Sequence, residues 1–64
     1  MNPEEAIKYH SDRAMQELDL GIDSPSGAAA KAHLGLSALH MERARRHIER
    51  RARLAEPEEA AIVA

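Results

Sequence analysis

Cysteine, tryptophan and phenylalanine are absent from this 64-residue chain, and tyrosine occurs once. Without cysteine there is no disulfide and no thiolate metal site, and base stacking on aromatic rings has only Tyr9 to draw on. Large aliphatic side chains are also few: Leu, Ile and Val together fill 11 of 64 positions, a share typical of disordered chains. Strong net charge, the usual companion of disorder, is missing too, because nine basic and eleven acidic residues leave −2. A folded chain is therefore the first expectation. One this short rarely holds itself together with a single apolar core, so self-association is the expected support.

Long apolar runs are missing as well. The longest, 27–30 and 60–64, fall far short of the roughly 20 residues that a membrane span needs. The opening Met1-Asn2-Pro3-Glu4-Glu5 is acidic and polar where a secretory leader is basic and then apolar. These features predict a cytoplasmic protein with no membrane contact.

Alanine is abundant: 13 of the apolar residues are Ala. The three Pro and three Gly punctuate two helical segments and a tail. Asn2 is a good N-cap, Pro3 suits the first helical position, and Glu5 completes a capping-box-like pattern. Ile7, Ala14, Met15 and Leu18 then recur at helical spacing, and Gly21 offers a left-handed stop. The first helix is expected over 3–20. Asp23-Ser24-Pro25-Ser26-Gly27 supplies cap residues for a second, expected over 25–55 and closed by Pro57. The short connection folds the two back as an antiparallel hairpin. Residue i of the first helix is expected beside residue 46 minus i of the second, leaving the second helix uncovered beyond about residue 44. Residues 1–56 thus form one all-α hairpin with a longer second helix, and 57–64 an acidic and apolar tail.

The second helix carries three consecutive heptads that begin with histidine, at His33, His40 and His47. Taking Leu34, Met41, Ile48 and Ala55 as position a puts Ala30, Ser37, Ala44 and Arg51 at d and the histidines at g. Large residues alternate with small ones, a pattern that lets helices approach closely. A dimer of hairpins forming a four-helix bundle follows as the expected assembly, with Ile7, Ala14, Leu18, Leu34, Ser37, Met41, Ala44, Ile48 and Arg51 at its interface. Arg51, a charge on the seam, calls for a carboxylate such as Glu4, Glu5 or Asp12 of another subunit.

Seven-residue spacing separates successive histidines by roughly 10.5 Å, too far to chelate one ion from one helix, and no His-x-x-x-His or Glu-x-x-His occurs. Neither metal nor cofactor is expected. The histidines, with His10 of the first helix, instead form a seam that titrates near pH 6.5, so acid is expected to loosen the dimer.

Six of the seven arginines fall between Arg43 and Arg53, and residues 42–53 carry +4 where residues 1–23 carry −4. Two uses compete. Arg43, Arg46, Arg50 and Arg53 can contact phosphates or an acidic partner. The same arginines can pair with Glu42 and Glu49 on a solvated helix end, which suits a pI near 6.0 and the lack of stacking aromatics. The second use is favoured. No serine sits in a glycine-flanked elbow and no Gly-rich loop precedes a lysine, so an enzyme is not expected.

The stretch Ala32-His33-Leu34-x-Leu36-Ser37-x-Leu39-His40-x-Glu42-Arg43-Ala44, preceded by an acidic helix ending Glu17-Leu18-Asp19-Leu20, resembles short bacterial helical-hairpin proteins with an Ala/His-rich second helix. The resemblance covers most of residues 5–50 and implies a helical hairpin with no assigned activity, so it transfers no site residues. Leu34-Gly35 also looks like the Leu-Gly pair of tetratricopeptide repeats, but the chain continues as helix where that repeat turns. The functional expectation is a small self-associating interaction or adaptor module, with nucleic-acid binding through the arginines as the alternative.

Overall fold

A computed structural model describes residues 1–55, which form two α-helices and no strand among them, α1 (Pro3–Asp23) and α2 (Gly27–Ala55). The tail expected over 57–64 lies outside the described residues. No helix among them is long and apolar enough to cross a membrane.

Local chemistry accounts for each helix start. The Asn2 side-chain oxygen accepts from the Glu5 backbone N–H at 2.8 Å, and the Asn2 amide donates to Glu5 Oε1 at 2.9 Å. Pro3 opens the helix, where a missing N–H leaves no bond unmade, and Glu4 and Glu5 face the positive end of its dipole. At α2, Ser26 is the cap: its hydroxyl accepts from Ala29 N–H at 3.3 Å and its carbonyl from Ala30 N–H at 2.8 Å. The second helix thus begins at Gly27, two residues after the expected start, because Ser26 outcompetes Ser24 as cap. Between the helices, the Ser24 hydroxyl donates to the Ser26 carbonyl at 3.2 Å.

Gly21 does not stop α1, contrary to what its position in the sequence suggests. No glycine among the described residues has positive φ, and the helix continues to Asp23 before Ser24 turns extended. The reason for a glycine here is proximity. A Cβ at this position would sit 3.0 Å from two atoms of the Leu34 side chain and 3.3 Å from the Ala30 carbonyl oxygen. The helices meet closely just before the turn, and a side chain here would have to push Leu34 aside. Gly21→Val should destabilise the hairpin by about 1–3 kcal/mol through overpacking, read as a lower chemical-denaturation midpoint. A midpoint at or above the parent's would show that the two helices do not meet at Gly21.

The extra turn of α1 also shifts the register. His10 meets His40, Ala14 meets Ser37 and Glu17 meets His33, so residue i lies beside residue 50 or 51 minus i, not 46 minus i. The uncovered part of α2 therefore begins near residue 47, not 44.

What lies between the helices is the unexpected feature. The buried residues are Ala6, Ala14, Glu17 and Gly21 from α1 and Ser37, His40 and Ala44 from α2. The heptad phase is rotated from the expected one: His33, His40 and His47 lie with Ser37 and Ala44 on the face turned to α1, while Leu34, Met41 and Ile48 are 43%, 50% and 43% exposed. Small and polar side chains win the seam because they let the backbones approach, and polar ones there find partners on the facing helix. At about 100° per residue, Ile7, Leu18, Ile22 and, further outward, Met15 lie on one flank of α1. Leu34, Met41 and Ile48 lie on one flank of α2. In an antiparallel pair both flanks fall on the same side of the hairpin, which makes an apolar face two helices wide, while Tyr9, Leu20, Leu36, Leu39 and Leu54, also exposed, lie toward the other side among Arg13, Arg43 and Arg50.

Candidate functional site

Two polar clusters and one basic groove are built on this frame. The first cluster joins the helices toward the turn. Glu17, only 4% exposed, accepts from Arg13 Nη2 at 3.0 Å on one carboxylate oxygen, while His33 Nδ1 lies 2.7 Å from the other. One helical turn further along α2, the Ser37 hydroxyl donates to the Ala14 carbonyl at 2.7 Å. The Ala14 carbonyl already accepts within α1, so the group this contact satisfies is the buried Ser37 hydroxyl, which would cost on the order of 1–3 kcal/mol if left without a partner. No buried side-chain nitrogen or oxygen among the described residues lacks a partner.

The second cluster lies toward the open end. His10 Nδ1 and His40 Nδ1 are 2.9 Å apart, a hydrogen bond in which one imidazole donates and the other accepts. His47 stacks on His10 with centroids 5.8 Å apart and planes 13° from parallel. Tyr9 presents an edge to His10 and to His40, at 5.0 and 6.0 Å between centroids. Burial, helped by the neighbouring His40, Arg43 and His47, pushes the His10 imidazole below its ordinary pKa. The four histidines singled out from the sequence therefore divide, with His10, His40 and His47 together at one end and His33 apart on Glu17. Sequence reasoning missed Glu17 and Tyr9. The signal for Glu17 was its place on the Ala6, His10, Ala14, Glu17, Gly21 stripe, a helical run of small and polar residues beside the apolar one. Among the described residues no group of three or more His, Cys, Asp or Glu side chains is placed to hold a metal ion. Rings that stack, as His10 and His47 do, do not converge their nitrogens on a point.

From Arg43 onward, across the point where α1 ceases to cover it, α2 carries an open groove lined by Arg43, Arg46, His47, Glu49, Arg50 and Arg53. All four arginines expected to form a patch line it. Arg46 lies 3.3 Å from Glu42, whereas Arg43, Arg50 and Arg53 have no carboxylate within 4.0 Å among the described residues. The Glu49–Arg53 pair expected from spacing does not form. Arg45 takes both acidic partners instead, bridging Glu42 and Glu49 along the helix, and its hydrogen bond holds the Glu42 carboxyl below the usual range. These contacts are exposed and contribute little to stability.

The expected interface residues fall into two groups. Ala14, Ser37 and Ala44 are consumed inside the hairpin. Ile7 and Leu18 are half-buried and Leu34, Met41 and Ile48 exposed on the apolar face, while Arg51 is exposed near the free end of α2. A scan against protein-family models finds no match, and comparison with curated proteins and with solved structures finds none either.

Proposed function

We propose that this chain is a self-associating interaction module whose working unit is a homodimer of hairpins, a four-helix bundle joined through the Ile7, Leu18, Leu34, Met41, Ile48 face. One observation carries the reading: the hairpin interior contains three alanines and no large apolar side chain. A fully buried Leu or Ile contributes about 1.5–3 kcal/mol, and here that contribution is unclaimed until a second surface covers it. Two helices side by side are roughly 20 Å wide and α1 is roughly 32 Å long. The face thus projects on the order of 600 Å², close to the ~800 Å² per partner of stable complexes. Sedimentation of the purified protein at micromolar concentration tests this: a dimer is expected, and a well-folded monomer refutes it.

The groove of Arg43, Arg46, Arg50 and Arg53 supports a second reading, a nucleic-acid surface. These side chains point away from the apolar face, so dimerisation leaves them free. That reading requires salt-sensitive retardation of DNA or RNA, lost on Arg46→Glu, Arg50→Glu and Arg53→Glu together. Lack of retardation at low salt removes it and leaves the arginines as a solvated helix end.

A further inference from the structure

We infer that the second copy docks antiparallel, with α2 lying along α2 of its partner and the two-fold axis passing through Met41. This rests on the self-association proposed above and adds its geometry. Three observations combine. The helix runs from Gly27 to Ala55, so Met41 is its midpoint, and Leu34 and Ile48, seven residues to either side, share its flank and its exposure. A two-fold axis at Met41 sets Leu34 against Ile48 of the partner twice and overlaps the two α2 helices along their whole length.

The second observation is the overhang. Beyond residue 47 nothing from α1 covers α2, yet Ile48 and Ala52 continue the apolar flank there. Stacking α2 on the partner's α1 would leave this stretch bare. Stacking α2 on α2 in the antiparallel sense lays each overhang on the turn end of the other hairpin, where Leu18, Ile22 and Leu34 supply an apolar floor.

Symmetry decides between antiparallel and parallel. A two-fold axis running across the helices at Met41 stacks one hairpin face on the other, so the α1 flank of Ile7 and Leu18 is covered together with that of α2. A parallel α2 pair needs its two-fold axis along the helices, which sets the two α1 helices on opposite sides of the pair and leaves the Ile7, Leu18 flank bare.

Cysteine scanning under a mild chemical oxidant tests the arrangement, because the chain has no cysteine of its own and a disulfide forms only where Cα atoms come within about 7 Å. Met41→Cys should link to itself. Leu34→Cys and Ile48→Cys should each stay unlinked alone and link when the two are mixed. All three positions are exposed enough for substitution to spare the hairpin, which helix content by circular dichroism verifies. Spin labels on Ala52→Cys give a second measurement: the antiparallel dimer separates them by roughly 33 Å along the axis, the parallel one sets them side by side. Self-linking of Leu34→Cys and Ile48→Cys, with a short label distance, overturns the antiparallel geometry and keeps the dimer. A dimer that shows none of these links overturns the α2 contact. A folded monomer in sedimentation overturns the self-association itself.

Discussion

Met41→Glu should convert the dimer to monomers and leave the hairpin folded. Met41 is half exposed in the single chain, so a carboxylate there meets water and costs the isolated hairpin little. At the proposed interface the same carboxylate is desolvated, the nearest cation, Arg45 one turn on, is already held by Glu42 and Glu49, and the two-fold axis brings its copy alongside. Burying one unpaired charge costs about 3–5 kcal/mol, which corresponds to at least a 100-fold weaker dimer at about 1.4 kcal/mol per factor of ten. Sedimentation at micromolar concentration reads the change in mass, and circular dichroism the retained helix. Ala32→Glu, also exposed but on the opposite side of α2 from Met41, is the matched control and should weaken the dimer far less. Equal effects from the two substitutions would show that net charge, not the Met41 contact, governs assembly.

Acidification from pH 7.5 to 5 should destabilise the hairpin, through His10 and the rings around it. His10 faces His40, His47 and Arg43 on α2 and Tyr9 on its own helix. None of these supplies a negative charge. The His10–His40 bond needs one imidazole nitrogen without a proton, so it is lost when both rings are charged. Because the folded state holds the His10 pKa below its unfolded value near 6.5, the unfolded chain binds more protons in this window. Stability is therefore complete above about pH 7 and falls as the pH drops through 6.5 toward the lower folded-state value. Loss of the bond is worth about 1 kcal/mol, or roughly 4–8 °C in thermal midpoint for a domain of this size. The sequence alone suggested that acid would act on the dimer. The histidines lie within one chain's seam, so the hairpin is affected first and any assembly through it. His10→Asn keeps a hydrogen-bonding partner for His40 and removes one titrating ring. Its midpoint should vary with pH by half as much as the parent's or less, and an unchanged slope would place the sensitivity elsewhere.

Much of this fold was legible along the chain because its determinants are local. Asn2-Pro3-x-Glu5 specifies a helix start whatever surrounds it, Ser26 caps α2 by reaching its own backbone, and a connection of a few residues between two helices permits only an antiparallel return. The seam was less legible. Both stripes of α2, the Leu34, Met41, Ile48 row and the His33, His40, His47 row, have the same seven-residue period, and ordinary hydrophobicity favours the first for the interior. The partner helix reverses that order. On α1, Ala6, His10, Ala14, Glu17 and Gly21 form a row that is narrow and polar, and the row opposite must then be one that hydrogen-bonds and stays thin. Matching His10 to His40 and Glu17 to His33 identifies the register, but that match exists only after the two helices are set side by side. Gly21 misled for a related reason: a glycine late in a helix is read as a stop, and its actual role, admitting Leu34 and the Ala30 carbonyl, belongs to the other helix.

The scarcity of large apolar side chains excludes a conventional core on composition alone. The sequence by itself determined two capped helices, their antiparallel return, the lack of a span or a disulfide, and the concentration of arginine at one end of α2. The tertiary structure decided which stripe turns inward and where the uncovered end begins. Helical periodicity counts stripes and spaces them, whereas burial depends on how closely another backbone approaches, and a one-turn shift in register changes every pair across the seam.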